Sequence, residues 1–265
     1  MGIPSTSPDA YRAELENQAA AWQRKSALRA LYRHWFDLVG SRLVDRGPTL
    51  ELGCGCGELG DHLGSVIRSD NVATPWCDVV ADGTRLPFRT GSLGNVVLMD
   101  VIHHIAAPLD VLAECRRVLA PGGRVVLLEP TISLLGRFVY GVLHHEDVDM
   151  GYDVTRPKKD HALFANGGIP TLLFGHGRDA WRAMGPGLEM VENTTLTGPS
   201  YLLTGGFSYP GVLPACAVRP LQRLEDGLAS SPLGRWMALR MLVVLERQEE
   251  RREETVKTHA GASPD

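Results

Sequence analysis

The sequence predicts an α/β fold: a doubly wound, mostly parallel sheet with helices on both faces and an N-terminal helical extension. Two observations carry that reading. Short, mainly apolar runs at Thr49–Leu52, 77–82 (CDVVAD), 95–100 (NVVLMD) and 124–129 (RVVLLE) have the pattern of strands buried on both faces. Between them lie stretches with the three-and-four spacing of amphipathic helices, the alternation that builds a parallel sheet. Glycine adds a third: there are 29 in 265 residues, and three crowd the point where the first strand gives way to a helix.

Taken in order, residues 10–43 repeat apolar side chains at Leu28, Leu31, Tyr32, Trp35, Phe36 and Val39, one buried helical face. Gly47-Pro48 ends that helix, and Thr49-Leu50-Glu51-Leu52 forms the first strand. A helix is expected from Glu58 to Val66 and another from Asp110 to Leu119, the second stopped by Pro121-Gly122-Gly123. After Pro130 the alternation lapses. It returns at 188–193 and 238–245 as two further strands, with a helix from Leu221 to Ala229 between them. The division expected is an N-terminal cap over 1–46, a sheet domain over 47–246 with inserts at about 131–186 and 197–237, and a charged tail over 247–265.

Composition excludes several classes. With 44% apolar and 22% charged residues the chain can form a core, and a net charge of −4 supplies no basic field for nucleic acid. No apolar run is long enough for a membrane span, and the first residues lack a secretory pattern. Five cysteines, an odd number, do not make a disulfide framework, so a cytoplasmic location is expected.

The loop Gly53-Cys54-Gly55-Cys56-Gly57 is the most informative segment. A strand that turns through glycines into a helix brings backbone N–H groups close to a ligand. A dinucleotide fingerprint would need a third glycine at position 58, where Glu58 stands, and the lysine of a phosphate-binding loop is missing. The ligand should therefore have amino-acid or nucleoside character.

ELGCGCG, residues 51–57, resembles the first motif of class I S-adenosylmethionine-dependent methyltransferases, in their type 11, ubiquinone-methylase-like branch. Asp82–Phe88 (DGTRLPF), Val97–His104 (VLMDVIHH) and Arg117–Arg124 (RVLAPGGR) match further motifs in the same order, so the resemblance covers about residues 48–130. It implies a Rossmann-like, seven-stranded sheet and S-adenosylmethionine as cofactor. Gly53, Gly55 and Gly57 would then line the methionine end, with Glu51 orienting the loop and the amino group. Asp70 would take the ribose hydroxyls, with Asp78 the alternative, because the stretch between them is too short for the usual crossover helix. Asp82 and the Gly83 N–H would meet the adenine, and Asp100 would close the site beside the methyl donor.

Methyl transfer from a sulfonium needs alignment above all, and a general base only when the acceptor carries a proton to lose. His103 and His104 follow the fourth strand and are candidates for that base, as is His145 in the first insert. Tyr140, His144, Glu146 and Tyr152 are candidates for the acceptor wall. No metal is expected, because adjacent side chains in the 144–149 run diverge. The expected reaction is methyl transfer to an O, N or acidic C of a small molecule in specialised biosynthesis, by a chain for which a homodimer is left open. Two alternatives stay beside it: cyclisation, elimination or binding alone on the same fold, and NAD(P)-dependent oxidoreduction, which the glycine spacing disfavours.

Overall fold

The computed structural model describes residues 8–143, 148–156 and 165–249. Two helices open the chain, α1 (Pro8–Arg24) and α2 (Ser26–Gly40), where one had been expected. The break falls at Lys25, whose backbone (φ −100, ψ 86) leaves the helical region. Its ammonium donates to the carbonyl of Gly206 at 2.5 Å, fixing the corner to a distant loop.

The sheet follows: β1 (Thr49–Leu52), β2 (Val66–Asp70), β3 (Val79–Val80), β4 (Leu93–Met99), β5 (Leu119–Pro130), β6 (Glu189–Thr197) and β7 (Ala238–Glu246). The seven strands lie in the order β3-β2-β1-β4-β5-β7-β6. Pairings from β3 through β5 are parallel, and β7 runs antiparallel to both β5 and β6. Among the helices, α3 (Glu58–Leu63) joins β1 to β2, and α4 (Pro108–Val118) joins β4 to β5. The first insert holds α5 (Leu134–Phe138), α6 (Ile169–Phe174) and α7 (Gly177–Met184). The second holds α8 (Pro199–Thr204), α9 (Ala215–Leu228) and α10 (Pro232–Trp236).

Some boundaries differ from the sequence reading. The first crossover helix stops at Leu63, because Gly64 turns to φ +86 and Val66 already pairs in β2. The run 77–82 shrinks to Val79–Val80, an edge strand with β2 as its one neighbour. Pro121-Gly122-Gly123 lies inside β5 rather than ending α4: the Gly122 N–H donates to the Arg247 carbonyl, and Gly123 accepts from the Arg247 N–H.

Alternation along the strands divides the core between two layers. Val96, Leu98, Val125, Leu127, Met241 and Val243 face the layer built with α4, α6 and α7. Val97, Val126, Leu128, Leu242 and Val244 face the other layer, against Leu28, Leu31, Trp35, Phe36 and Val39 of α2. The parallel strands therefore end together at one edge, where open α/β sheets place ligands.

Candidate active site

Gly53, at φ +76, turns the chain out of β1, and a Cβ there would lie 2.6 Å from Val101 Cγ2. Only glycine fits a left-handed turn that close to another chain segment. The Gly53 and Cys54 N–H groups both donate to the Ser69 carbonyl, at 2.8 and 2.9 Å, tying the loop to the tip of β2. One residue further on, the Gly55 N–H reaches the Asp70 carboxylate at 3.2 Å. Asp70 also accepts the Tyr11 hydroxyl of α1 at 3.2 Å and the Val72 N–H at 3.3 Å, and it is buried. Asp78 is turned elsewhere. It accepts from the Arg68 N–H at 2.9 Å, and that bond together with the Arg68 guanidinium holds its carboxyl below the usual range.

Glu51 sits beneath the loop, buried, with Oε2 lacking a hydrogen-bond partner among the described residues. Burial, reinforced by the charge of Glu58, pushes its carboxyl up to about 8. Burial likewise raises Glu58 to about 7. Helix α1 covers this region: buried Leu15 approaches the position of Gly55, and its carbonyl accepts the Cys56 thiol at 3.1 Å. Beside that contact a cleft of about 390 Å³ opens between Arg12 and Glu16 of α1 and residues Ala73–Trp76. Asp82 is exposed and accepts the Thr84 N–H and hydroxyl, both at 2.8 Å, while Gly83 packs against Leu52 and Val111.

Past β4 the geometry tightens. Asp100 is the one non-glycine residue with positive φ among the described residues, at +58. Its carboxylate pairs with Arg240 of β7, on the α2 side of the sheet. The next turn, Ile102–His104, is held by Glu129 at the end of β5. Glu129 Oε1 accepts the Val101 and Ile102 N–H groups at 2.8 Å each, and Oε2 is 2.7 Å from His103 Nδ1. Glu129 is fully buried and His103 nearly so, whereas His104 is exposed with its ring centroid 4.1 Å from that of His103. The β4–β5 register, with Met99 opposite Leu128, is what brings Glu129 beside this turn.

One donor atom each from Asp100, His103 and Glu129 lie within 4.8 Å of one another, a spacing a cation could use. Those donors are already committed, to the Arg240 guanidinium, to two backbone amides and to each other. Of the residues expected on the acceptor wall, Tyr140 is buried and donates to the Leu239 carbonyl at 2.9 Å. Tyr152 donates to the Ala106 carbonyl at 2.7 Å and packs against the α4-side core. His144, His145 and Glu146 lie outside the described residues.

Three participants had not been singled out in the sequence: Glu129, Arg240 and Tyr11. Glu129 ends a mainly apolar run, as Asp82 and Asp100 do, and Arg240 is the lone charge between Ala238 and Leu245. Both signals were present in the sequence. Tyr11 gives none, since nothing local links it to Asp70.

Residues 50–127 match a family model described as a methyltransferase domain. A ubiquinone biosynthesis O-methyltransferase of Xanthomonas oryzae is 26% identical, over 44% of this chain and 60% of that protein. An uncharacterised transposon protein of Streptomyces fradiae is 36% identical, over 33% of this chain and 24% of that one. The chain thus spans between a quarter and three fifths of the length of these curated relatives. Among solved structures, a chain from the complex of the Haloferax volcanii Trm112 methyltransferase activator with a methyltransferase superposes with a TM-score of 0.51. Its identity is 17%, and the match covers 94% of this chain and all of that one. A SAM-dependent methyltransferase of Thermotoga maritima gives 0.50 at 14% identity, over 89% of this chain and 99% of that one. These two likenesses bear on the fold, and the motif order, the glycine loop and the matched domain agree with them. Residues 50–127 are thus similar to a methyltransferase domain, set in a fold shared with these two structures.

Proposed function

We propose that the chain transfers a methyl group from S-adenosylmethionine to a small-molecule acceptor, with the His103–Glu129 pair taking the acceptor's proton. The supporting observation is the contact between the two halves of the site. Val101, which packs against Gly53 of the loop, is held by the same Glu129 that orients His103. The residues present suit the cofactor. The glycines leave a cradle that a Cβ would fill, Glu51 has a buried oxygen without a partner among the described residues that would meet an ammonium, and Asp70 would accept two hydroxyls. Asp82 and the Gly83 N–H would meet the adenine. When bound, the cofactor supplies an electrophilic methyl group on a sulfonium.

The chain's own part is positional. With Nδ1 donating to Glu129, His103 has Nε2 as its basic nitrogen, the tautomer a proton acceptor needs. The carboxylate stabilises the imidazolium that forms and keeps the ring from turning. Buried Leu128 and the α2 layer keep water from the floor of the site.

A specialised biosynthetic step fits the two inserts on the acceptor side. Five free thiols suit a reducing cytoplasm. No described helix is long and apolar enough to cross a membrane. Calorimetry is expected to show binding of S-adenosylhomocysteine and not of NAD; the reverse result would overturn the proposal. Product mass then separates chemistries. A methyl gain with S-adenosylhomocysteine supports transfer, and methylthioadenosine without it supports cyclisation or elimination.

Glu51 gives a second prediction. Its folded carboxyl titrates near 8, above the ordinary 4.5, so between those values the folded chain holds a proton that the unfolded chain has released. The stability it contributes is fully present below about 4.5 and is lost as pH rises through about 8. An ammonium placed against Glu51 would favour the carboxylate, so S-adenosylhomocysteine should release a proton near pH 7. Glu58, Asp61 and Arg68 face the same group, and Glu58 titrates in the same window, so the difference made by Glu51→Gln is the readout. In phosphate and Tris buffers the wild type should show different binding enthalpies, and the variant a smaller difference with weaker binding. Equal proton release in both proteins would remove Glu51 from the site.

A further inference from the structure

Strand β7 carries one cation in a run that is otherwise apolar from Ala238 to Leu245. Alternation sets Arg240 on the side of Leu242 and Val244, facing α2, and only 4% of it is exposed. A buried guanidinium costs several kcal/mol unless fixed charge and hydrogen bonds match it, and apolar residues of like volume would often serve stability as well. Here the match is incomplete. Nη1 donates to Asp100, and the guanidinium carbon stands 5.1 Å from the ring centroids of both Trp35 and Tyr201. The buried Nε–H has no acceptor among the described residues. The pair is also lopsided, with the Asp100 side chain 30% exposed and that of Arg240 5%.

We propose that Arg240 anchors the acceptor, and that the acceptor is a planar, aromatic or conjugated carboxylic acid. This rests on the methyl-transfer reading of the same site. A guanidinium takes a carboxylate through two parallel N–H bonds, and Nε, which forms such a fork with Nη2 rather than with the Nη1 that Asp100 engages, has no acceptor among the described residues. That a carboxylate fits against it is shown by Asp100, which holds the guanidinium until the acceptor's carboxylate arrives. Flatness follows from the rings. Trp35 and Tyr201, their ring centroids 5.8 Å apart, form one aromatic wall beside the charge, and Tyr32 extends it, 4.9 Å from Trp35 and 5.5 Å from Phe207 between ring centroids. Placement ties the anchor to the chemistry. Arg240 pairs with Pro130, next to Glu129, and its partner Asp100 precedes His103 by one turn. An acceptor held by its carboxylate at Arg240 would thus present its other end toward the His103–Glu129 pair.

Benzoate and its neutral counterpart benzamide test this on the full chain, with and without saturating S-adenosylhomocysteine, using the tryptophan fluorescence that Trp35 contributes. Benzoate should saturate, and benzamide should bind at least about tenfold more weakly. Arg240→Met should lose roughly tenfold or more in benzoate affinity while binding S-adenosylhomocysteine as the wild type does. Asp100→Asn removes the competing carboxylate and keeps a residue that tolerates positive φ, so benzoate should bind several-fold more tightly. A merely structural ion pair gives no such gain, and this variant decides the matter if Arg240→Met fails to fold. Equal binding of benzoate and benzamide, no saturable benzoate signal, or no gain in Asp100→Asn each overturns the anchor. Failure of S-adenosylhomocysteine to bind the wild type is a separate outcome that counts against methyl transfer, since the benzoate titrations are read without it as well.

Discussion

Glu129→Gln should leave a folded protein that has lost most of its turnover, by roughly 10²–10⁴-fold in kcat. The carboxamide oxygen still accepts the Val101 and Ile102 amides, so the turn after β4 stays in place. Its nitrogen, however, cannot accept from His103 Nδ1. The imidazole must adopt the other tautomer, which protonates Nε2 and leaves nothing to take a proton. Glu129→Ala is a different experiment. It strands two buried amides and the imidazole together, and breaking a buried pair of this kind costs about 3–5 kcal/mol. A melting curve should therefore separate the two variants, with Ala far below the wild type and Gln close to it. KM should change little in Glu129→Gln, because no acceptor contact is assigned to that side chain. Wild-type turnover in Glu129→Gln, with a normal pH profile, would make the pair a structural strut.

That pair shows where sequence reading reaches and where it stops. His103 could be named from its place after an apolar strand, because a strand end and a motif are both local. Its partner could not, because Glu129 lies in the next strand. The two meet through the parallel register that sets Met99 opposite Leu128. Strand order hides Arg240 in the same way. Chain order would lead one to seat β6 beside β5, yet β7 inserts between them and brings Arg240 next to Pro130. The strands β1, β4 and β5 were legible because burial on both faces fills most of their positions with apolar side chains. The edge strand β3 was overestimated for the converse reason: CDVVAD has strand composition, but only Val79 and Val80 find a neighbour. Which of Asp70 and Asp78 stands against the glycine loop likewise depends on a loop conformation. Left-handed turns at Gly53 and Gly55 swing the Gly55 N–H onto Asp70, while Arg68 engages Asp78.

Asp70 carries the other large effect. Asp70→Asn is expected to weaken S-adenosylhomocysteine binding by about 10–100-fold, the worth of one or two hydrogen bonds to a charged acceptor. Tyr11→Phe should act in the opposite direction. The Tyr11 hydroxyl now stands on the carboxylate that the ribose would need, and α1 covers it, with Leu15 buried against the glycine loop and Arg12 bonded to the Ala73 carbonyl. Removing that hydroxyl deletes one bond that ribose must displace, worth about 0.5–1.5 kcal/mol. Binding should therefore tighten by up to roughly tenfold, with faster association if opening of α1 limits entry. The contrast in sign at the two ends of one hydrogen bond is the informative result. A bond that served the fold alone would give two destabilised proteins with unchanged affinity. Weaker binding in both variants would place Tyr11 among the cofactor's own contacts and make α1 part of the site wall rather than its cover.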